Sequence, residues 1–178
     1  MSQYRGPKEQ LDAARSVDTS VEELRTLARS EYNFVREAVA ANPNTEVQIL
    51  VELFPEDLQS GSNQYLAVAL AQSSKTPAPE LSKLVDMVLP FLQEWNSRGD
   101  SFLHFKIGVA LCHNPHTPID PISMLLQPQH SAKAFRKVVA RETQREDVLH
   151  FLLIDRSEVV RKQAAHTLTH LREITSQV

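Results

Sequence analysis

An all-α fold is what this sequence predicts, and three observations predict it. Apolar residues recur at helical spacing in short runs, only four glycines stand against ten prolines, and most prolines fall between the runs rather than inside them. Amphipathic runs closed by turn residues make helices joined by tight turns, not a glycine-rich sheet. The chain of 178 residues is a one-domain length, long enough to bury a continuous core.

The helix starts come from the threonines. Thr19, Thr45, Thr76 and Thr117 are each followed at plus five and plus eight by an aliphatic residue: Leu24 and Leu27, Leu50 and Leu53, Leu81 and Leu84, Ile122 and Leu125. Thr143 precedes Val148 and Phe151 in a looser match. These spacings lie on one stripe of a helix. A threonine just before such a stripe is placed to be an N-cap, its hydroxyl accepting from the amide three residues on while a Glu or Gln there returns the bond. Thr19 has Glu22, Thr45 has Gln48 and Thr143 has Glu146, whereas Thr117 has the weaker Asp120 and Thr76 has Pro79, which cannot close the box. N-caps at Thr45 and Thr117 are the expectation.

The preceding helices come from reading backward. Val35, Leu66 and Ile107 each stand ten residues before a threonine and open the apolar runs VREAVAAN, LAVALAQS and IGVALCHN, and FRKVVARE and VRKQAAHT are later relatives. Alanines at 38, 40, 69 and 110 let neighbouring helices come close. Pro43 and Pro115 then stop the helix, because the residue before a proline is pushed out of the α region. Asn-Pro-x-Thr thus ends one helix and starts the next.

A unit of two short helices cannot bury its apolar face alone and must stack on its neighbours. The units run from about 8–31, 32–58, 63–88, 102–129 and 132–155, with a partial one at 157–174, all in a single domain, 1–178. An irregular insertion at 86–101 interrupts them, through MVLPFLQEW and the turn NSRGD. The first and last units are the more polar, as the ends of a stacked array should be. The phrases VREAVAANPNTEVQILVEL and IGVALCHNPHTPIDPISMLL resemble the leucine-rich repeat variant family, whose motif runs close to VR-x-A-VA-x-NP-x-TP-x-x-LL. The resemblance implies a right-handed superhelix of paired helices, a HEAT/armadillo-like α-solenoid, with a role in protein contacts. The family's founding type carries a cysteine cluster for an iron–sulfur centre; Cys112 is the single cysteine here, so that cofactor does not carry over.

Little in the sequence points to chemistry. There is no glycine-framed serine, no P-loop and no dinucleotide fingerprint. Cys112 stands near His113 and His116, but it falls where Ala40 and Ala71 fall in other units, so it reads as a packed structural thiol. His113 and His116 take the loop positions of Asn42 and Asn44 and read as turn residues. His166 and His170 share a helix face, without the further ligands a closed metal site needs. The expectation is no metal, no cofactor and no enzyme activity. No apolar run approaches the ~18 residues of a membrane span, and the opening MSQYRGPKEQ lacks the apolar core of a signal peptide, so a cytoplasmic protein without membrane attachment is expected.

Charge is uneven. Residues 1–132 hold 10 basic and 16 acidic residues, a net of −6, while 133–178 hold 9 and 6, a net of +3. The second position of the unit is Arg36, Ala67, Gly108, Arg136 and Arg161. Stacking would set Arg136 and Arg161 side by side with Lys137 and Lys162, a basic row able to dock an acidic protein; the plainer alternative is a solvated face paired with Glu142, Glu146 and Glu158. Phe91, Trp95, Phe102 and Phe105 cluster at the insertion, filling the joint there, with Trp95 a candidate interface anchor beside the basic row. The favoured function is a non-enzymatic protein-binding module or scaffold, monomeric or weakly dimeric. The alternative is a HEAT-like DNA-binding enzyme of the alkyl-base glycosylase type, but a phosphate-binding domain is usually clearly basic, and a sequence pI near 6.2 makes nucleic acid the lesser partner.

Overall fold

The computed structural model describes residues 6–93 and 102–175. Among these the chain is all-helical, without a strand. Eleven α-helices follow in order: α1 (Pro7–Arg15), α2 (Val21–Leu27), α3 (Asn33–Ala41), α4 (Val47–Glu52), α5 (Gly61–Gln72), α6 (Ala78–Val88), α7 (Phe102–His113), α8 (Ile119–Leu125), α9 (Lys133–Glu142), α10 (Glu146–Leu152) and α11 (Glu158–Thr175). A 3-10 turn, Leu89–Phe91, prolongs α6 into the described part of the insertion.

Each odd-numbered helix packs on the next odd one, from α1 on α3 through to α9 on α11, while α6 packs on α8 and α8 on α10. The stripe residues fill the space between: Leu24, Leu27, Leu50, Leu53, Leu81, Leu84, Ile122, Leu125 and Val148 are all buried, and Phe151 is half-buried. Ala40, Ala71 and Cys112 are fully buried, where a larger side chain would hold neighbouring helices apart. Gly108 serves the same end: a Cβ there would lie 2.9 Å from Phe135 Cε2 and 3.2 Å from Leu92 Cδ1.

Four interhelical turns share one construction. The amides of Thr19, Thr45, Thr76 and Thr117 donate to the carbonyls of Ser16, Asn42, Ser73 and Asn114. The side-chain oxygens of those four residues accept from the backbone amide two residues on, the usual way Asn and Ser hold a turn. The asparagines do more. Asn42 Nδ2 donates to Ala14 O and Ser16 O at 2.8 Å each, and Asn114 Nδ2 donates to Ala71 O and Ser73 O at 2.8 and 2.9 Å. Each therefore ties its turn to an earlier one. Asn44 Nδ2 to Val17 O, Lys75 Nζ to Pro43 O at 2.5 Å, and Arg145 Nη1 to Asn114 O and Thr117 O at 2.8 and 2.7 Å make further ties along that edge. Turn carbonyls left over by the helix ends are satisfied from the neighbouring turn.

The threonines are not N-caps. The cap before α4 is Glu46 and before α8 is Pro118, one residue beyond Thr45 and Thr117. The hydroxyls of Thr19, Thr45 and Thr76 point backward instead, donating to Ala13 O, Val39 O and Leu70 O at 2.6, 2.5 and 2.6 Å. Each of these carbonyls, in the last turn of the helix just ended, also accepts from the amide of Ser16, Asn42 or Ser73 and has a second lone pair for the buried hydroxyl, which would otherwise lack a partner. The expected capping box is real at α2 but shifted by one, made by Ser20 with Glu23 rather than Thr19 with Glu22.

Candidate functional site

Of the expected basic row, Arg136 and Arg161 meet at Asp155, while Lys137 and Lys162 stay at the surface. Arg136 is 4% exposed, which corrects the expectation of a surface side chain. Its Nε donates to Asp155 Oδ2 at 2.6 Å, its Nη2 to Oδ1 at 3.5 Å, and its Nη1 to Ser131 O. A buried guanidinium needs a carboxylate and backbone acceptors around it, and here they come from the loops flanking α9 and α10. Arg161 is half-buried, its Nη1 donating to Asp155 O at 2.7 Å and Arg156 O at 3.2 Å. Arg36 does the same at Ser30 O, 2.8 Å. The arginine of the second position therefore binds the backbone of the loop leading into its own helix. Lys137 and Lys162 are exposed, and Lys162 pairs with Glu158 at 2.7 Å. Trp95 lies outside the described residues.

Cys112 and the histidines lie apart from one another in character, the thiol buried and most of the imidazoles at the surface. Burial pushes the Cys112 thiol up to about 12 despite Arg145 nearby, far from a nucleophilic thiolate. His113, expected in the turn, is instead the last residue of α7; it is half-buried with Nε2 unbonded among the described residues, and burial holds its pKa below the ordinary value, Glu142 pulling the other way. His116 is exposed in its turn, and His166 and His170 are exposed on α11. Among the described residues, no three of His, Cys, Asp and Glu come together to hold a metal ion, and no helix is long and apolar enough to cross a membrane.

The aromatic joint is filled only in part. Phe91 stacks on buried His104 with centroids 3.9 Å apart, and Phe105 meets Phe135 edge-on at 5.4 Å. Phe102 instead is 54% exposed, with Lys106 Nζ 4.7 Å above its ring.

Phe102 belongs to a feature the sequence did not disclose. Two adjoining bays on α3, α5, α7 and α9 form a trough. One bay, of about 380 Å³, lies between α3 and α5 and is walled by Phe34, Glu37 and Tyr65. The other, of about 810 Å³, spans α5, α7 and α9 and is walled by Phe102, Lys106, His113 and Arg141. The bays share Val68 and Gln72 in their linings and so adjoin. The floor is Ala38, Ala69, Ala110 and Val138, one residue from each of α3, α5, α7 and α9. Small floor residues with tall rings beside them make a concave apolar strip. Phe34 and Tyr65 are 43% and 53% exposed. The signal was present in the sequence: each aromatic directly precedes the first buried aliphatic residue of its helix, Val35 or Leu66.

No family model matches this chain, and neither a curated protein nor a solved structure does.

Proposed function

We propose that the chain is a right-handed α-solenoid of paired helices, HEAT/armadillo-like and akin to the leucine-rich repeat variant family, which binds another protein without catalysis. The partner lies along the trough. The observation that carries this reading is the trough itself, with Phe34, Tyr65 and Phe102 standing exposed over a floor of small residues. Exposed aromatics aligned along a concavity are the usual anchors of protein interfaces. The serial packing of the odd-numbered helices supports the solenoid, and so do the polar outer residues of the first and last helices, Lys8, Glu9 and Asp12 on α1 and Lys162, His166, Thr169 and His170 on α11, all exposed as terminal units require. The row of Arg136, Lys137, Arg161 and Lys162 gives way to the trough as the binding face, since two of its four members serve the backbone.

The test is capture of partners by the tagged full-length chain from its own source, beside a Tyr65→Asp, Phe102→Asp double variant and a Met124→Asp control on α8, where the side chain is 45% exposed. A stoichiometric protein lost with the trough variant and kept by the control is the expected result. A partner retained by the trough variant overturns the assignment of the face, and recovered nucleic acid would favour the glycosylase-type alternative.

A further inference from the structure

The smaller bay has the elements of a site for one kind of side chain. Glu37 lines it together with the exposed rings of Phe34 and Tyr65, two residues from Val35 on α3. The carboxylate is half-buried and, among the described residues, takes part in no hydrogen bond or ion pair. Its sequence neighbour Arg36 is turned away, donating to Ser30 O and Asn33 Oδ1. Arg15 lines the same bay from α1, exposed and not ion-paired with Glu37. Partial burial lifts the Glu37 pKa above the usual carboxylate range, Arg36 drawing it back. A carboxylate that loses solvent without gaining a partner is stabilised by any cation that fills the space beside it.

We propose that this bay recognises an arginine side chain of the bound protein, its guanidinium paired with Glu37 and stacked on Tyr65 or Phe34. The chemistry favours arginine over lysine. Its planar fork bonds a carboxylate through two N–H groups while its face lies on a ring, and it is less strongly hydrated than an ammonium. The bay's volume of about 380 Å³ admits a long side chain beside Ala38, Ala41 and Ala69, which raise no wall against it. Of the charged residues lining this bay, Glu37 is the carboxylate and Arg15, exposed and not paired with it, the cation, so a guanidinium entering beside Glu37 meets a carboxylate not yet neutralised. The larger bay, with Lys106, His113 and Arg141, has no unpaired carboxylate of this kind, which fixes the direction in which a partner segment would lie.

The inference rests on the protein-binding reading above, and its test separates the two. The full-length chain is used to select from a randomised dodecapeptide library displayed on phage, and selected peptides are then synthesised and measured by fluorescence anisotropy. Arginine should be enriched at one position. Replacing that arginine by citrulline, which keeps shape and loses charge, should weaken binding about tenfold or more, as should Glu37→Gln, and the two changes together should cost little beyond either alone. Circular dichroism confirms that Glu37→Gln keeps its helices. Peptides that require Tyr65 and Phe102 yet lack an enriched arginine, or bind Glu37→Gln unchanged, overturn this inference and leave the protein-binding trough standing. Peptides indifferent to Tyr65, Phe102 and Glu37 alike, or no peptides at all, overturn both.

Discussion

Truncating Arg136 should unfold the C-terminal part of the molecule rather than blunt a binding surface. The side chains of Arg136 and Asp155 are 5% and 2% exposed and meet at 2.6 Å. Asp155 also accepts from the amide of Ser157 at 2.7 Å and, through its carbonyl, from Arg161. Arg136→Ala therefore strands a buried carboxylate and frees the carbonyl of Ser131. Removing one partner of a buried ion pair costs about 3–5 kcal/mol, a large share of the roughly 5–15 kcal/mol that holds a domain folded. Lys137, next in sequence and exposed, is the control; Lys137→Ala should stay within about 0.5 kcal/mol of the parent. Urea titration followed by circular dichroism reads the difference, and hydrogen exchange should place the lost protection in α9 to α11, where these contacts lie. Arg136→Leu with Asp155→Asn should cost less than the sum of the single changes, because neither charge is then left alone. If Arg136→Ala and Lys137→Ala have the same midpoint, the ion pair does not hold these helices together and the reasoning fails.

Asn42→Ala removes two N–H donors to the carbonyls of Ala14 and Ser16 and the acceptor of the Asn44 amide, and should cost about 3 kcal/mol in the same titration at roughly 1 kcal/mol per bond. Gly108→Ala gains about 1 kcal/mol in helix propensity but drives a methyl group against Phe135, which is fully buried and wedged on Phe105; overpacking of about 1–3 kcal/mol should leave it less stable than the parent. Cys112, with its thiol pushed up to about 12, should react with a disulfide reagent only as fast as the chain opens, and at the rate of a free thiol in denaturant. The lowered pKa of His113 means that the unfolded chain takes up a proton more readily than the folded one. Stability should therefore fall as pH drops below the ordinary value of 6.5 and be insensitive to this group above it. His113→Gln should flatten that difference between parent and variant, shallow as it is because Glu142 opposes the burial.

What the sequence by itself determined is the helical character and the places where helices stop. Stripe spacing and proline position act within a few residues of chain, so Leu24, Leu50, Leu81 and Ile122 could be set on the buried side, and turns at Pro43 and Pro115, without knowledge of any neighbour. Hydrogen-bond direction was beyond that reach. Whether the Thr45 hydroxyl caps the helix ahead or seals the one behind depends on which end is left without water, and that is fixed by burial. Arg136 shows the same limit: an arginine flanked by lysine looks like surface until Asp155, nineteen residues on, is folded against it. The trough as a shared surface belongs to the tertiary structure: the sequence sets Phe34 and Tyr65 beside Val35 and Leu66, but not the helices beside one another. Phe34, Tyr65 and Phe102 are separated by tens of residues, and the bays they line adjoin only because α3, α5 and α7 pack in series; Glu37 loses part of its solvent in a bay that no single helix provides.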